Sequence, residues 1–394
     1  MNEFLQFYGA NQISPVSQNL DDLELHFGRR IGLYRTLGLA ASLFEGRDIL
    51  EVAPGSGHNS IVTATFKARC YDLVEPNPTG FEKMVGLFNE YKLCSDSVHF
   101  FNTRLDNLPE KRTYDIVICE GLIPGLGDQD VFLRQLAGKV RQGGILVVTC
   151  ADAVSVFFES LRRYLARVLV HRSVDASGTR DGDRQAVRIL LPAFQPHLNA
   201  LSGMSRPAED WIWDNLLNPA AASLAASHEF SVERCLNVFG EEFYFYGSSP
   251  VFMSNWSWYK NLPLNPRDYN KAFADSFASQ RHNFLHYDER SLSDGATSEP
   301  LYRFCRAFSL ELEQRIPENW AAITSGIISE DLAHVRSVHA ITRQCGLQQS
   351  EAAIAEFLAL FDGGRIPDAQ TIAKMTAFRG AFGRGQQYLS LVKA

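Results

Sequence analysis

Asp48-Ile-Leu-Glu-Val-Ala-Pro-Gly-Ser-Gly-His-Asn59 is the stretch on which the reading of this chain turns. Its first half, 48–53, is a short β-rich run, and the second half is a glycine-containing turn that leads into a helical stretch from about Asn59. A turn of this kind lets backbone approach a ligand closely, and the helix behind it offers free N–H groups. Nucleotide and phosphate sites share that geometry, so the turn alone does not select a ligand. Two acidic residues narrow the choice. Glu51 stands four positions before Gly55, and Glu75 closes the next β-rich run, 75 − 51 = 24 residues later. A carboxylate in that position can accept hydrogen bonds from both hydroxyls of a ribose.

Outward from this stretch, β-rich and helical segments alternate. Residues 22–44 carry apolar side chains at helical spacing, with Gly46 placed to cap, so one or two helices precede the first strand. Strands are expected at 48–53, 70–75, 98–102, 114–120 and 143–150, with helices from about Asn59, Gly80 and Asp130. Right-handed crossovers turn such a series into a doubly wound, mostly parallel α/β sheet. After Asp152 the rhythm breaks. A long amphipathic helix, a polar loop at 172–185 and a helical insertion to about Ser227 are expected. Residues 230–250 read as two strands joined at Gly240-Glu241, an antiparallel hairpin closing the sheet. From Asn265 the pattern is helical, broken at Gly295, Pro317, Gly346 and Gly363-Gly364. The expected segments are thus N-terminal helices or lid (1–46), ligand-binding core (47–152), helical insertion (153–229), closing hairpin (230–260) and C-terminal helical unit (261–394).

The motif at 51–59 and the order of elements resemble the class I S-adenosylmethionine-dependent methyltransferases, with a Rossmann-like sheet. The resemblance covers residues 45–152 and implies S-adenosylmethionine as cofactor. It implies that Glu51 lies near the cofactor's amino-acid end, that Gly55 and Gly57 let the cofactor approach, and that Glu75 holds its ribose. Ala53 stands where the family most often has its first glycine. Asn59 and Pro76 flank the same two loops, and Arg104 and Leu105 belong to a stretch (101–109) similar to the family's adenine loop, with Arg104 where an acidic residue is common. Glu120 ends the run that resembles the fourth strand, facing the methionine part of the cofactor and the acceptor. It is a candidate catalytic carboxylate, with His58 and His26 as further candidate bases.

His26, Arg30 and Tyr34 are spaced four apart and share a helix face. They form either part of the site roof, with Arg30 pairing a carboxylate and Tyr34 near the sulfonium, or a solvated helix surface. His58 is either catalytic or a polar residue at a helix start. Trp256, Trp258 and Tyr259 are assigned to packing, and Arg384, in a glycine-rich stretch, to a surface turn.

Bulk properties limit the partners. The net charge is −7, from 38 basic and 45 acidic residues, without a long basic block, so nucleic acid is not expected as a partner. No run is long and apolar enough to span a membrane, and the amino terminus lacks the pattern of a secretion signal, so a cytoplasmic location is expected. The seven cysteines show no C-x-x-C pairing, and neither disulfides nor a metal site is expected. Taken with the methyl transfer that the resemblance implies, these favour as acceptor an oxygen or nitrogen of a small metabolite or sugar-containing biosynthetic intermediate. The rivals are a protein or RNA methyltransferase, a non-catalytic binding protein on the same fold, and an NAD-type oxidoreductase. The last is suggested by Gly55, Gly57 and Ser60 near dinucleotide-fingerprint positions and opposed by Glu51 and the preceding helices.

Overall fold

The computed structural model describes residues 3–108, 112–171, 179–253, 256–262, 265–292, 295–314, 332–364 and 366–394. Residues 1–150, 230–277 and 386–394 form one compact unit, and 151–229 with 278–385 form a second.

The first unit holds a seven-stranded sheet. Its strands are β1 (Asp48–Val52), β2 (Cys70–Val74), β3 (Val98–Phe101), β4 (Tyr114–Cys119), β5 (Val140–Cys150), β6 (Phe243–Ser249) and β7 (Gln387–Lys393), in the order β3-β2-β1-β4-β5-β7-β6. The first five run parallel, and β7 is antiparallel to both β5 and β6. Helices α1 (Glu3–Asn11), α2 (Leu23–Thr36), α3 (Ser60–Ala64), α4 (Pro78–Glu90) and α5 (Gln129–Lys139) belong to the same unit. Ile49, Tyr71, Leu73, Ile116, Ile118 and Val147 of the strands bury one sheet face against Tyr34, Ile61, Val62, Met84 and Phe88. The strand order reverses at β1, which has β2 on one side and β4 on the other, so a crevice opens outside the carboxyl ends of these strands.

The antiparallel end of the sheet is built differently from the hairpin expected at 230–250. Val232–Phe239 is a helix, with Val232, Cys235, Leu236 and Phe239 buried at helical spacing. Ser231 caps it by accepting from the Arg234 amide at 3.3 Å, and Gly240, at φ +57°, ends it. Only Phe243–Ser249 is a strand, and its partner is β7, more than a hundred residues later in a region expected to be predominantly helical. Trp256, Trp258 and Tyr259, expected in the core, are 95%, 60% and 67% exposed. They follow β6 in a segment whose one regular piece is the three-residue turn Tyr259–Asn261, which offers no apolar face for burial.

The second unit is helical among the described residues, led by Phe157–His171, Arg180–Ala200, Ser298–Gln314, Ala333–Cys345 and Gln348–Ala359. Of the loop expected at 172–185, residues 180–185 are helix instead: Thr179 caps a helix already running at Arg180 by accepting from the Gly182 amide. Residues 172–178 and the break expected at Pro317 lie outside the described residues. The stretch around Arg384 is tied inward. Gly383 packs so closely on the Ser155 backbone that a Cβ has no room, and Arg384 donates to the Asn283 and Glu289 carbonyls at 2.8 and 3.1 Å.

Candidate cofactor and acceptor site

The loop after β1 owes its shape to three left-handed residues. Ala53, Gly55 and Gly57 have φ of +58°, +62° and +78°. Ala53 is held there by its amide, which donates to the Val74 carbonyl at 2.8 Å. A Cβ on Gly55 would collide with Val16, and one on Gly57 would lie 2.7 Å from Met84 Cγ. Both glycines are therefore required by space as well as by φ. Asn59 stands at the N-cap of α3.

Glu75, just past β2, faces this loop. Its Oε2 accepts from the Gly55 amide and its Oε1 from the Asn77 amide, both at 2.7 Å. Each oxygen retains a second lone pair. Burial pushes the Glu75 carboxyl up to about 7 against the pull of those two amides. Glu51 is also buried, but beneath the loop: one oxygen accepts from Ser60 Oγ at 2.9 Å and the other from the Tyr71 hydroxyl. Burial, with Glu120 adding repulsion, pushes it up to about 7. Its two hydrogen bonds fix the end of β1 and the start of α3.

The helix face carrying His26, Arg30 and Tyr34 is buried, which removes the reading of a solvated surface. Arg30 donates through both terminal nitrogens to the two oxygens of Glu120, at 2.9 and 2.8 Å. Burial opposes its charge, yet Glu120 overrides this and holds the guanidinium above its ordinary range. Arg30 also donates to the Tyr34 hydroxyl at 3.1 Å, and that hydroxyl bonds Thr63 Oγ1 at 2.7 Å. Tyr34 packs its ring against Phe44 and Phe66, and burial lifts its hydroxyl to about 12. His26 Nε2 donates to the His58 carbonyl at 2.8 Å, and burial lowers the pKa of its imidazole. His58 Nδ1 shares a 2.9 Å hydrogen bond with Ser56 Oγ.

Beside these groups lies a cavity of about 340 Å³ whose walls include Val52, Ala53, Val74, Pro76, Arg104 and Leu105. Of the sequence-derived residues, Ala53, Pro76, Arg104 and Leu105 thus share one space at the carboxyl ends of β1 and β2. Glu51, Gly55, Gly57, Asn59, Glu75, Glu120 and the α2 face do not line it. Sequence reading missed Leu5, Asp106, Leu122, Leu126, Phe132 and Gln135, which are among the other wall residues. Asp106 had a legible signal: where a carboxylate is common at position 104, the chain has one two residues later, paired with Arg104 at 3.1 Å. The others follow β4 or sit on α1 and α5, where apolar residues have no motif of their own.

No family model matches the chain, and no curated protein does. Among solved structures, the chain is similar to the CcbJ methyltransferase of Streptomyces caelestis at 20% identity over 32% of this chain and 50% of that one, with a TM-score of 0.26. It is similar to the magnesium protoporphyrin IX methyltransferase of Synechocystis with bound SAM, at 16% identity over 38% and 69%, with a TM-score of 0.28. It is also similar to the N-methyltransferase NodS of Bradyrhizobium japonicum in complex with S-adenosyl-l-homocysteine, at 16% identity over 37% and 74%, with a TM-score of 0.30. The match spans about half of several such structures: 44%, 57% and 50% of those from Thermoplasma acidophilum, Listeria monocytogenes and Streptomyces caelestis. At these scores the likeness carries no weight for function. The mostly parallel sheet with antiparallel closing strands is a doubly wound, Rossmann-like fold on its own strand order and register.

Proposed function

We propose that this chain is an S-adenosylmethionine-dependent methyltransferase acting on an oxygen or nitrogen of a small metabolite or sugar-containing biosynthetic intermediate. The observation that carries the proposal is the cavity at the carboxyl ends of β1 and β2, framed by the left-handed loop at 53–57 and the Arg104–Asp106 loop. Bound there, S-adenosylmethionine supplies a methyl group already activated on a sulfonium.

The residues present suit that group. Glu75, with a lone pair left on each oxygen, stands between the wall residues Val74 and Pro76 and is the candidate acceptor for ribose hydroxyls. Pro76, Leu105 and Leu122 offer apolar walls for a base, and Asp106 an acceptor for an exocyclic amine. The chain's own work is alignment, because displacement at a sulfonium needs a nucleophile held behind the carbon more than it needs an acid or base. Glu120, with both oxygens clamped by Arg30, is better suited to anchor than to accept a proton. His26 is the remaining candidate base: its Nε2 donates to the His58 carbonyl, which leaves Nδ1 as the acceptor, and burial favours the neutral ring. The preference for a small acceptor comes from the absence of a basic tract in the sequence.

Calorimetric titration with S-adenosylmethionine, S-adenosylhomocysteine and NAD, on wild type and Glu75→Ala, tests the cofactor. Binding of both adenosyl ligands, weakened at least tenfold in the variant, is expected at roughly 1.4 kcal/mol per decade. Binding of NAD alone, or of neither by a folded protein, would refute the proposal. Formation of S-adenosylhomocysteine in acceptor screens then separates an enzyme from a binding protein.

A further inference from the structure

Cys70, Asp72 and His99 lie at the other end of the strands from Gly55, on one face of the sheet. Cys70 and Asp72 are alternate residues of β2, and Asp72 faces His99 of β3 directly in the parallel register. Backbone pairing alone therefore gathers a thiol, a carboxylate and an imidazole from positions that show no metal spacing in the sequence. Their contact atoms form a closed triangle: Sγ to Asp72 Oδ1 is 3.1 Å, Sγ to His99 Nδ1 is 3.4 Å, and Nδ1 to Oδ1 is 2.8 Å. Three donors at about 2.0–2.3 Å from a tetrahedral zinc ion stand about 3.3–3.6 Å apart, so an expansion of a few tenths of an ångström converts the triangle into one face of such a site.

Two further features belong to a metal site. The Tyr114 hydroxyl donates to Asp72 Oδ2 at 2.6 Å, which fixes the carboxylate with Oδ1 turned to the other two donors. Such a bond to the non-ligating oxygen is how outer residues orient a ligating carboxylate. The cluster also has a way in, since Asp72 is fully buried while the side chains of His99 and Arg112 are 43% and 40% exposed. Arg112 now supplies the positive charge, with Nη1 2.9 Å from Asp72 Oδ2 and Nη2 2.6 Å from Cys70 Sγ. Its exposed side chain can swing to solvent when a dication takes over that role.

We propose that Cys70, Asp72 and His99 form a binding site for one soft divalent cation, zinc by preference, with water at the fourth position and Arg112 as the competing internal cation. Sulfur and imidazole exclude magnesium and calcium as natural occupants. On binding, the Cys70 thiol proton passes to solvent and the metal–sulfur bond replaces it, with no change of oxidation state.

The test is titration of the metal-stripped full chain with cobalt(II), followed by zinc competition. One equivalent of cobalt is expected to give a near-ultraviolet sulfur-to-metal band and tetrahedral visible bands, both displaced by zinc. Cys70→Ser should abolish the sulfur band, and Tyr114→Phe should weaken binding by about 10–100-fold. Arg112→Ala, at an exposed side chain, should tighten binding, because it removes the competitor and no ligand. Absence of the sulfur band from folded wild type and from Arg112→Ala alike, or its survival in Cys70→Ser, would overturn the proposal. None of these readouts depends on adenosyl binding, so the outcome is separable from that of the proposed function.

Discussion

Ala53 stands in a backbone conformation that L-residues avoid, at φ +58°, with its amide committed to the Val74 carbonyl. A left-handed residue with a Cβ costs roughly 1–2 kcal/mol, part of which glycine returns as unfolded-chain entropy. Ala53→Gly is therefore expected to stabilise the protein by about 0.5–1 kcal/mol in urea denaturation; a destabilised variant would mean that the methyl group packs usefully. The sequence showed the departure from the glycine pattern at this position, though not its backbone conformation. Glu75 and Glu51 carry a second expectation. Each is raised from its ordinary 4.5 to about 7, so the folded state holds protons that the unfolded state releases. The associated stability is full below about pH 4.5 and is lost as pH rises through 7, on the order of 3 kcal/mol per group. Melting of the unliganded protein should show this decline, and Glu75→Gln should remove its share. A slope of opposite sign would contradict the burial of these carboxyls.

Elements were legible where one segment decides its own structure. Strands β1 to β5 and helices α3 to α5 lie close to where alternation and turns placed them, because local pattern and local pairing agree in βα units. The failure at 230–250 has a physical cause: Phe230, Val232, Val238 and Phe239 have strand propensity, while the burial of Val232, Cys235, Leu236 and Phe239 follows the helical period. Strand β7 was illegible for a different reason. Its short run, Gln387–Lys393, becomes a strand only between β5 and β6, through partners that no local pattern names. Removal of residues 387–394 should thus leave two unpaired edges and abolish the cooperative melting of the first unit. A truncated chain that still binds adenosyl ligands would show that β7 is dispensable.

At the scale of the whole molecule, the break after Asp152 was visible as a change of rhythm, but not the gathering of 151–229 and 278–385 into one unit. One contact between these two stretches is a buried ion pair. Asp152, fully buried, takes the Val154 and Ser155 amides at 3.1 and 2.9 Å and pairs with Arg281 at 2.8 Å. Asp152→Asn removes the nearer counterion of buried Arg281 and leaves Glu299 at 3.8 Å, and about 3–5 kcal/mol of stability should be lost, read by denaturant unfolding. A loss below 1 kcal/mol would show that water reaches the pair. Strand β7 has one more implication, for biosynthesis. Since 387 − 150 = 237 residues separate it from the end of β5, a ribosome must extend the chain by more than two hundred residues before the sheet can close. Until then β5 presents an open hydrogen-bonding edge to the crowded cell, and the nascent chain is a natural client for chaperones that shield such edges.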